Sequence, residues 1–184
     1  MAGEFVSDIM EIRRRVRAHM QEGPITAGDK ADRQTVARLL NESLATELEC
    51  VLRYKRHYYM ASGIHAQAVT AEFAEHAAEE QAHADQIAER ITQLGGAPDF
   101  NPDLVTRSHS EYIESDELLE MIKEDLVAER IAIGAYADIV RHLGNHDCTT
   151  RRMMEAILAK EEERADDLRH LIERLGGDAK GGDR

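Results

Sequence analysis

The chain has 184 residues, 42% of them hydrophobic and 32% charged, with three prolines, no tryptophan and a net charge of −13. That length supports one domain with a substantial core, and no apolar run approaches the ~18–20 residues of a membrane span. The excess of acid disfavours general affinity for nucleic-acid phosphate and suits a protein that attracts cations.

Cys50 and Cys148 share no CxxC spacing, and the first residues lack a charged-then-apolar secretory pattern. Free thiols and a cytoplasmic location are therefore expected, without a thiolate zinc site. Sparse proline, abundant Ala, Glu, Leu and Arg, and a sustained 3.6-residue periodicity predict an all-α protein.

Residues 4–20 predict a short helix, α1, with a narrow apolar stripe of Ile9, Ile12 and Val16 beside Arg13, Arg14, Arg15 and Arg17. The stripe is expected to dock on a bundle or a neighbouring subunit. Glu4, Asp8, Glu11 and Glu22 dilute the basic charge and argue against DNA. Gly23-Pro24 closes this helix and Gly28 follows in a linker. Residues 31–61 predict α2, with Val36, Leu40, Leu44, Glu47, Val51, Tyr54 and Tyr58 on one face, broken by Ser62-Gly63. Residues 65–94 predict α3, with Val69, Phe73, Glu80, His83, Ile87 and Ile91 on one face, stopped by Gly95-Gly96. The short turn between them makes α2 and α3 antiparallel neighbours. Residues 95–114, with Pro98, Asn101 and Pro102, carry no long helical pattern and suit a crossover along the bundle. Residues 115–143 predict α4, N-capped by Ser115, with Leu119, Ile122, Leu126, Glu129, Ile133, Tyr136 and Val140 aligned and Gly144-Asn145 as the stop. Residues 149–175 predict α5, with Met154, Leu158, Glu161, Ala165, Leu168, Ile172 and Leu175 aligned and Gly176-Gly177 as the stop. The organisation read from this is an N-terminal helix and linker (1–30), a four-helix bundle (31–176) and a polar tail (177–184).

Each long stripe carries a glutamate near its centre: Glu47, Glu80, Glu129 and Glu161. Four unpaired carboxylates in one dry core are incompatible, because each must be protonated or neutralised by a cation. Divalent metal ions remove the conflict. Glu80 and His83, one helical turn apart, point to the same side. By themselves they read as an exposed or locally paired couple; the other three glutamates make them a candidate metal site. The two hairpins also repeat. Glu80 and Glu161 stand at the same distance before a Gly-Gly pair, and His83-Ala84-Asp85 aligns with Arg164-Ala165-Asp166. Glu47 and Glu129 precede them by nearly equal intervals.

The strings Glu80-Gln81-Ala82-His83-Ala84-Asp85 and Asp125-Leu126-Val127-Ala128-Glu129 resemble the ferritin-like superfamily over residues 31–176, most of all bacterioferritins and Dps-like proteins with a bacterioferritin-type centre. The resemblance implies an antiparallel four-helix bundle with one long crossover between its second and third helices. It implies an iron site in which Glu47 and Glu129 are terminal ligands, Glu80 and Glu161 bridge, His83 completes one metal's shell and Tyr54 stands beside the centre. Where the family has its second histidine this chain has Arg164, which offers no lone pair and stays protonated. Either Arg164 pairs with Glu129 and replaces the charge of a second metal, or it swings away and leaves a weaker, carboxylate-only position. His76, one turn before Glu80, is the nearby spare imidazole and reads as a core-edge residue.

Bacterioferritins bind haem through a methionine after the first ExxH glutamate; here it is Gln81, so no haem is expected. No helix is predicted after residue 175, which favours a Dps-like homo-oligomeric shell of twelve subunits. The implied activity is ferroxidase-type: Fe(II), one or two per subunit, oxidised by peroxide or dioxygen and stored as a ferric mineral. Manganese or zinc also suits the ligands. The alternative is a non-enzymatic shell whose metal site Arg164 has degraded. A rubrerythrin-like peroxidase or manganese catalase shares the bundle, but the missing CxxC pair disfavours the former. His57, His65 and His109 read as surface residues, and Tyr58-Tyr59-Met60 as core and interface packing.

Overall fold

A computed structural model of the protein describes residues 8–18, 20, 32–63 and 66–181. Among them are five α-helices and no strand: α1 (Ile9–Ala18), α2 (Arg33–Met60), α3 (Ala66–Gln93), α4 (Leu118–Leu143) and α5 (Cys148–Gly181). The expected Gly23-Pro24 stop, the Gly28 linker and His65 lie outside the described residues.

The ends follow local chemistry. Asp32 caps α2, its carboxylate accepting from the Gln34 N–H at 3.1 Å and the Thr35 hydroxyl at 2.6 Å. Gly95 and Gly144 end α3 and α4 with φ of +82° and +48°, a conformation side chains disfavour. Two boundaries differ from the sequence reading. The N-cap of α4 is Glu117, and the Ser115 hydroxyl instead accepts from the Glu117 N–H at 3.2 Å in the turn before the helix. Helix α5 runs through Gly176, which does not take a positive φ. The stretch after it, Asp178-Ala179-Lys180, has no large apolar residue to fold back on the helix. Without that contact a glycine stays helical at a cost of only ~1 kcal/mol.

Helix α2 packs along α3 and α4 along α5, and the two hairpins meet chiefly through α2 and α4. The pairs His57–Asp125 and Tyr136–Glu47 show α2 and α4 to be antiparallel. The crossover must therefore return along the bundle, and it does so beside α2. Asn41 accepts from the Asp99 N–H at 2.8 Å, Thr46 from the His109 N–H at 3.0 Å, and Arg56 donates to the Ser115 carbonyl at 2.8 Å. Between these contacts, Ser110 donates to Glu49 and Arg53 to the Glu111 carbonyl. A single 3-10 turn, Pro102–Arg107, interrupts the crossover.

This cover gives α2 a second buried face of Ser43, Thr46, Glu49, Arg53 and His57. Two surface assignments are corrected by it: His57 is fully buried, and His109 is half-buried against Thr46. The apolar core falls into two blocks. One gathers Leu40, Leu44, Ile87, Ile91, Ile139 and Met154; the other gathers Phe73, Met121, Ile122, Leu126 and Leu168. The four central glutamates lie between them along the helices. No residue of α1 is buried, so its stripe does not dock on its own bundle. Tyr58, Tyr59 and Met60 are exposed, Tyr59 by 80%, and so lie outside the core.

Candidate metal centre

Helical spacing delivers one carboxylate from each long helix to the same level. Glu47, Glu80, Glu129 and Glu161 are all buried, each flanked by core residues of its own stripe. His83 follows one turn after Glu80 and is also buried. One oxygen each from Glu47, Glu80 and Glu161 and one nitrogen of His83 lie within 4.8 Å of one another. Among the described residues this is the one such grouping of three or more potential ligands.

His83 Nδ1 stands 3.0 Å from Glu161 Oε1, 3.4 Å from Glu47 Oε2 and 3.8 Å from Glu80 Oε2. These are distances of charge attraction; Glu47 Oε2, His83 Nδ1 and Glu161 Oε1 are buried without a hydrogen-bond partner. Burial opposes a charge on His83, yet the carboxylates of Glu161, Glu47 and Glu80 outweigh it and push the imidazole up to about 12. Burial, with the Glu47 charge beside it, pushes Glu80 up to about 8. Burial likewise holds Glu129 well above the usual carboxylate range against the pull of Arg164. Two cationic groups and two carboxyls that resist ionisation thus nearly neutralise the cluster. Coordination of a cation by these residues would need the deprotonated forms of His83 and Glu80.

Arg164 points into the cluster. Its Nη1 donates to Glu80, to Glu161 Oε2 at 2.6 Å and to Glu129 Oε1 at 3.2 Å, while Nη2 reaches Glu79 at 3.2 Å. The guanidinium is 2% exposed and lies 6.0 Å from the centroid of the Tyr54 ring. Of the two sequence-based alternatives, this is the first: Arg164 pairs with Glu129. It also pairs with both bridging candidates, so a positive charge sits where the repeat puts the second imidazole. Glu129 stands apart from the four-ligand group, its Oε1 taken by Arg164 and by the Tyr54 hydroxyl.

Its place in the apolar stripe of α4 assigns Tyr136 to the core. It is fully buried, but its hydroxyl donates to Glu47 Oε1 at 2.6 Å. The signal was in the sequence, since Tyr136 follows Glu129 by the same two turns by which Tyr54 follows Glu47. The contacts cross: each tyrosine holds the other hairpin's glutamate. His76 packs edge-on against Tyr54 with centroids 5.1 Å apart, and burial and the Arg164 charge lower it to about 4. It is absent from the ligand group. It lines a mostly acidic groove between α3 and α5 with Glu72, Glu75, Glu79 and Asp167. Gln81 turns outward, its amide donating to Asp85 at 3.0 Å. Both cysteines are free, Cys50 buried and Cys148 exposed.

Residues 37–177 match the ferritin-like domain of the Ferritin family. The chain is 31% identical over 150 residues to a nutrient stress-induced DNA-binding protein of Nostoc sp., covering 78% of this chain and 80% of that protein. It is 31% identical over 145 residues to a bacterioferritin of Mycobacterium tuberculosis, covering 77% and 87% respectively. Among solved structures, a dodecameric thioferritin, the bacterioferritin-related protein of Bacteroides fragilis, superposes with a TM-score of 0.80 at 25% identity, over 95% of this chain and 99% of that one. The four-helix bundle that the resemblance implies is the fold observed, and the chain belongs to the ferritin-like family.

Proposed function

We propose that this protein oxidises Fe(II) and stores the ferric product, using a mononuclear site of Glu47, Glu80, His83 and Glu161 with Arg164 as its permanent second cation. The observation that carries the reading is the buried group of three carboxylates and one imidazole within 4.8 Å. Three of its donor atoms lack any hydrogen-bond partner. They are held only by charge attraction to one another, which a bound cation would replace with direct ligation. Hard carboxylate oxygens suit both Fe(II) and Fe(III), and one imidazole nitrogen is common in such sites. The same set takes manganese or zinc, so metal identity rests on the likeness to bacterioferritins.

In this reading each residue has one task. Glu80, Glu161, Glu47 and His83 hold Fe(II) as substrate while it loses an electron to peroxide or dioxygen. Arg164 and Tyr54 keep Glu129 occupied, and Arg164 neutralises charge that a second ion would otherwise balance. Gln81 leaves no methionine for haem, and the reading includes none. The likeness to the dodecameric B. fragilis protein supports a hollow shell of twelve copies. No helix among the described residues is long and apolar enough to cross a membrane, and we place the shell in the cytoplasm. The net charge of −13 argues against a nucleic-acid role despite the Nostoc relative; the exposed basic helix α1 is where one would lie.

Arg164 also supports a second reading, a shell whose site no longer works. Glu80→Ala separates the two. It is expected to keep its helical circular dichroism and lose rapid Fe(II) oxidation by at least about tenfold, followed through the absorbance of the ferric product. Unchanged kinetics in this variant would remove the site from the reaction.

A further inference from the structure

Resting on this reading of the site, we infer that Tyr136 is a positioning residue that presents Glu47 to the metal through a single oxygen. The two oxygens of Glu47 have opposite surroundings. Oε1 accepts the Tyr136 hydroxyl at 2.6 Å, whereas Oε2 has no hydrogen-bond partner and faces His83 Nδ1 at 3.4 Å. Tyr136 is fully buried in the core block of Leu40, Leu44, Ile139 and Leu143, which fixes its ring and with it the place of the hydroxyl. A carboxylate held at one oxygen by a neutral donor keeps its charge and offers the other oxygen in a set direction. Tyr54, its counterpart in the repeat, makes the same contact to Glu129 Oε1, but there Arg164 Nη1 also reaches both carboxylate oxygens. Together with Arg164 it occupies Glu129, the carboxylate outside the ligand group. The crossed tyrosines thus hold one oxygen of each carboxylate, and Arg164 decides that only Glu47 has its second oxygen free for a metal.

The test is Co(II) binding to chelator-treated, full-length protein, read by titration and by the visible ligand-field bands of the bound ion. Tyr136→Phe removes one oxygen and keeps the ring. It is expected to weaken Co(II) binding by about ten- to a hundredfold and to shift the bands, as Glu47 becomes free to turn or to bind through both oxygens. Ile139→Val, a core truncation one turn away, is expected to change neither readout. In a Glu47→Ala background Tyr136→Phe is expected to have no further effect. Glu47→Gln supplies a test that leaves Tyr136 in place, should the phenylalanine variant not fold. With its amide oxygen held by Tyr136, the non-ligating NH2 faces the metal, so this variant is expected to bind Co(II) as weakly as Glu47→Ala. Unaltered affinity and bands in Tyr136→Phe, or clearly tighter binding by Glu47→Gln than by Glu47→Ala, would overturn the inference. Failure of the unmodified protein to bind Co(II) would instead overturn the site reading on which it rests.

Discussion

Replacing Arg164 with histidine is expected to raise the number of tightly bound divalent ions per chain from one to two. The substitution deletes a guanidinium whose Nη1 occupies Glu80, Glu129 and Glu161 together. It puts an imidazole one turn after Glu161, as His83 follows Glu80, and so restores the repeat. Glu129 loses a charged partner and becomes available as a ligand. The cost falls on the protein without metal. Four buried carboxylates then share a core with one fewer cation, and losing one partner of a buried ion pair costs about 3–5 kcal/mol. Arg164→His should accordingly unfold at lower denaturant than the natural chain in chelator and regain the loss when Co(II) or Fe(II) is added. Equilibrium dialysis gives the stoichiometry. A variant that still binds a single ion would show that Tyr54, rather than Arg164, keeps the second position closed.

The second large effect lies outside the site. Arg53→Met is expected to destabilise the fold by about 3–5 kcal/mol, the cost of leaving a buried charge without its partner. Arg53 is 2% exposed. It donates to Glu49 Oε1 through Nε at 3.1 Å and Nη2 at 2.7 Å, and to the Glu124 carbonyl at 3.0 Å. Glu49 is fully buried and also accepts from Ser110, so the pair joins α2, α4 and the crossover. Urea unfolding followed by circular dichroism measures the loss; with a slope of ~2 kcal/mol per M, the midpoint falls by roughly 2 M. Removing both charges in Glu49→Met/Arg53→Met should recover most of it, because an apolar pair of similar volume substitutes for a buried ion pair at little net cost. A double variant as unstable as the single one would mean that the lost hydrogen bonds to the crossover, rather than the orphaned carboxylate, carry the effect.

The contrast between these regions explains what was legible in the sequence. A periodic stripe reports the one face of a helix that is apolar, and the central glutamates stood out because they interrupted such stripes at matching positions in two hairpins. The second face of α2 gave no such signal. Thr46, Glu49, Arg53 and His57 look like an ordinary wetted surface until the crossover is laid along them. Charged residues at helical spacing do not say whether water or another segment satisfies them. The pairing of His57 with Asp125, both fully buried and 3.0 Å apart, gives no sequence signal for the same reason. Tyr136 carries no signal of its own because an aromatic residue in an apolar stripe is sufficiently explained by packing; its repeat with Tyr54 is the available clue. The Gly-Gly stop misled at α5 because glycine permits a helix to end but does not compel it. Gly95 takes a positive φ and Gly176 does not. The sequence leaves the direction of Arg164 open because two outcomes satisfy its chemistry. Packing decided between them, by bringing Glu80, Glu129 and Glu161 all within reach of one guanidinium.

In the proposed site one cation position is already filled by the chain itself, through Arg164. Anaerobic Fe(II) titration of chelator-treated natural protein, with free Fe(II) counted after dialysis, addresses it directly. One tightly bound Fe(II) per chain is expected. Two would contradict it by showing that Arg164 yields to a second ion, and none would show that the guanidinium has closed the site altogether.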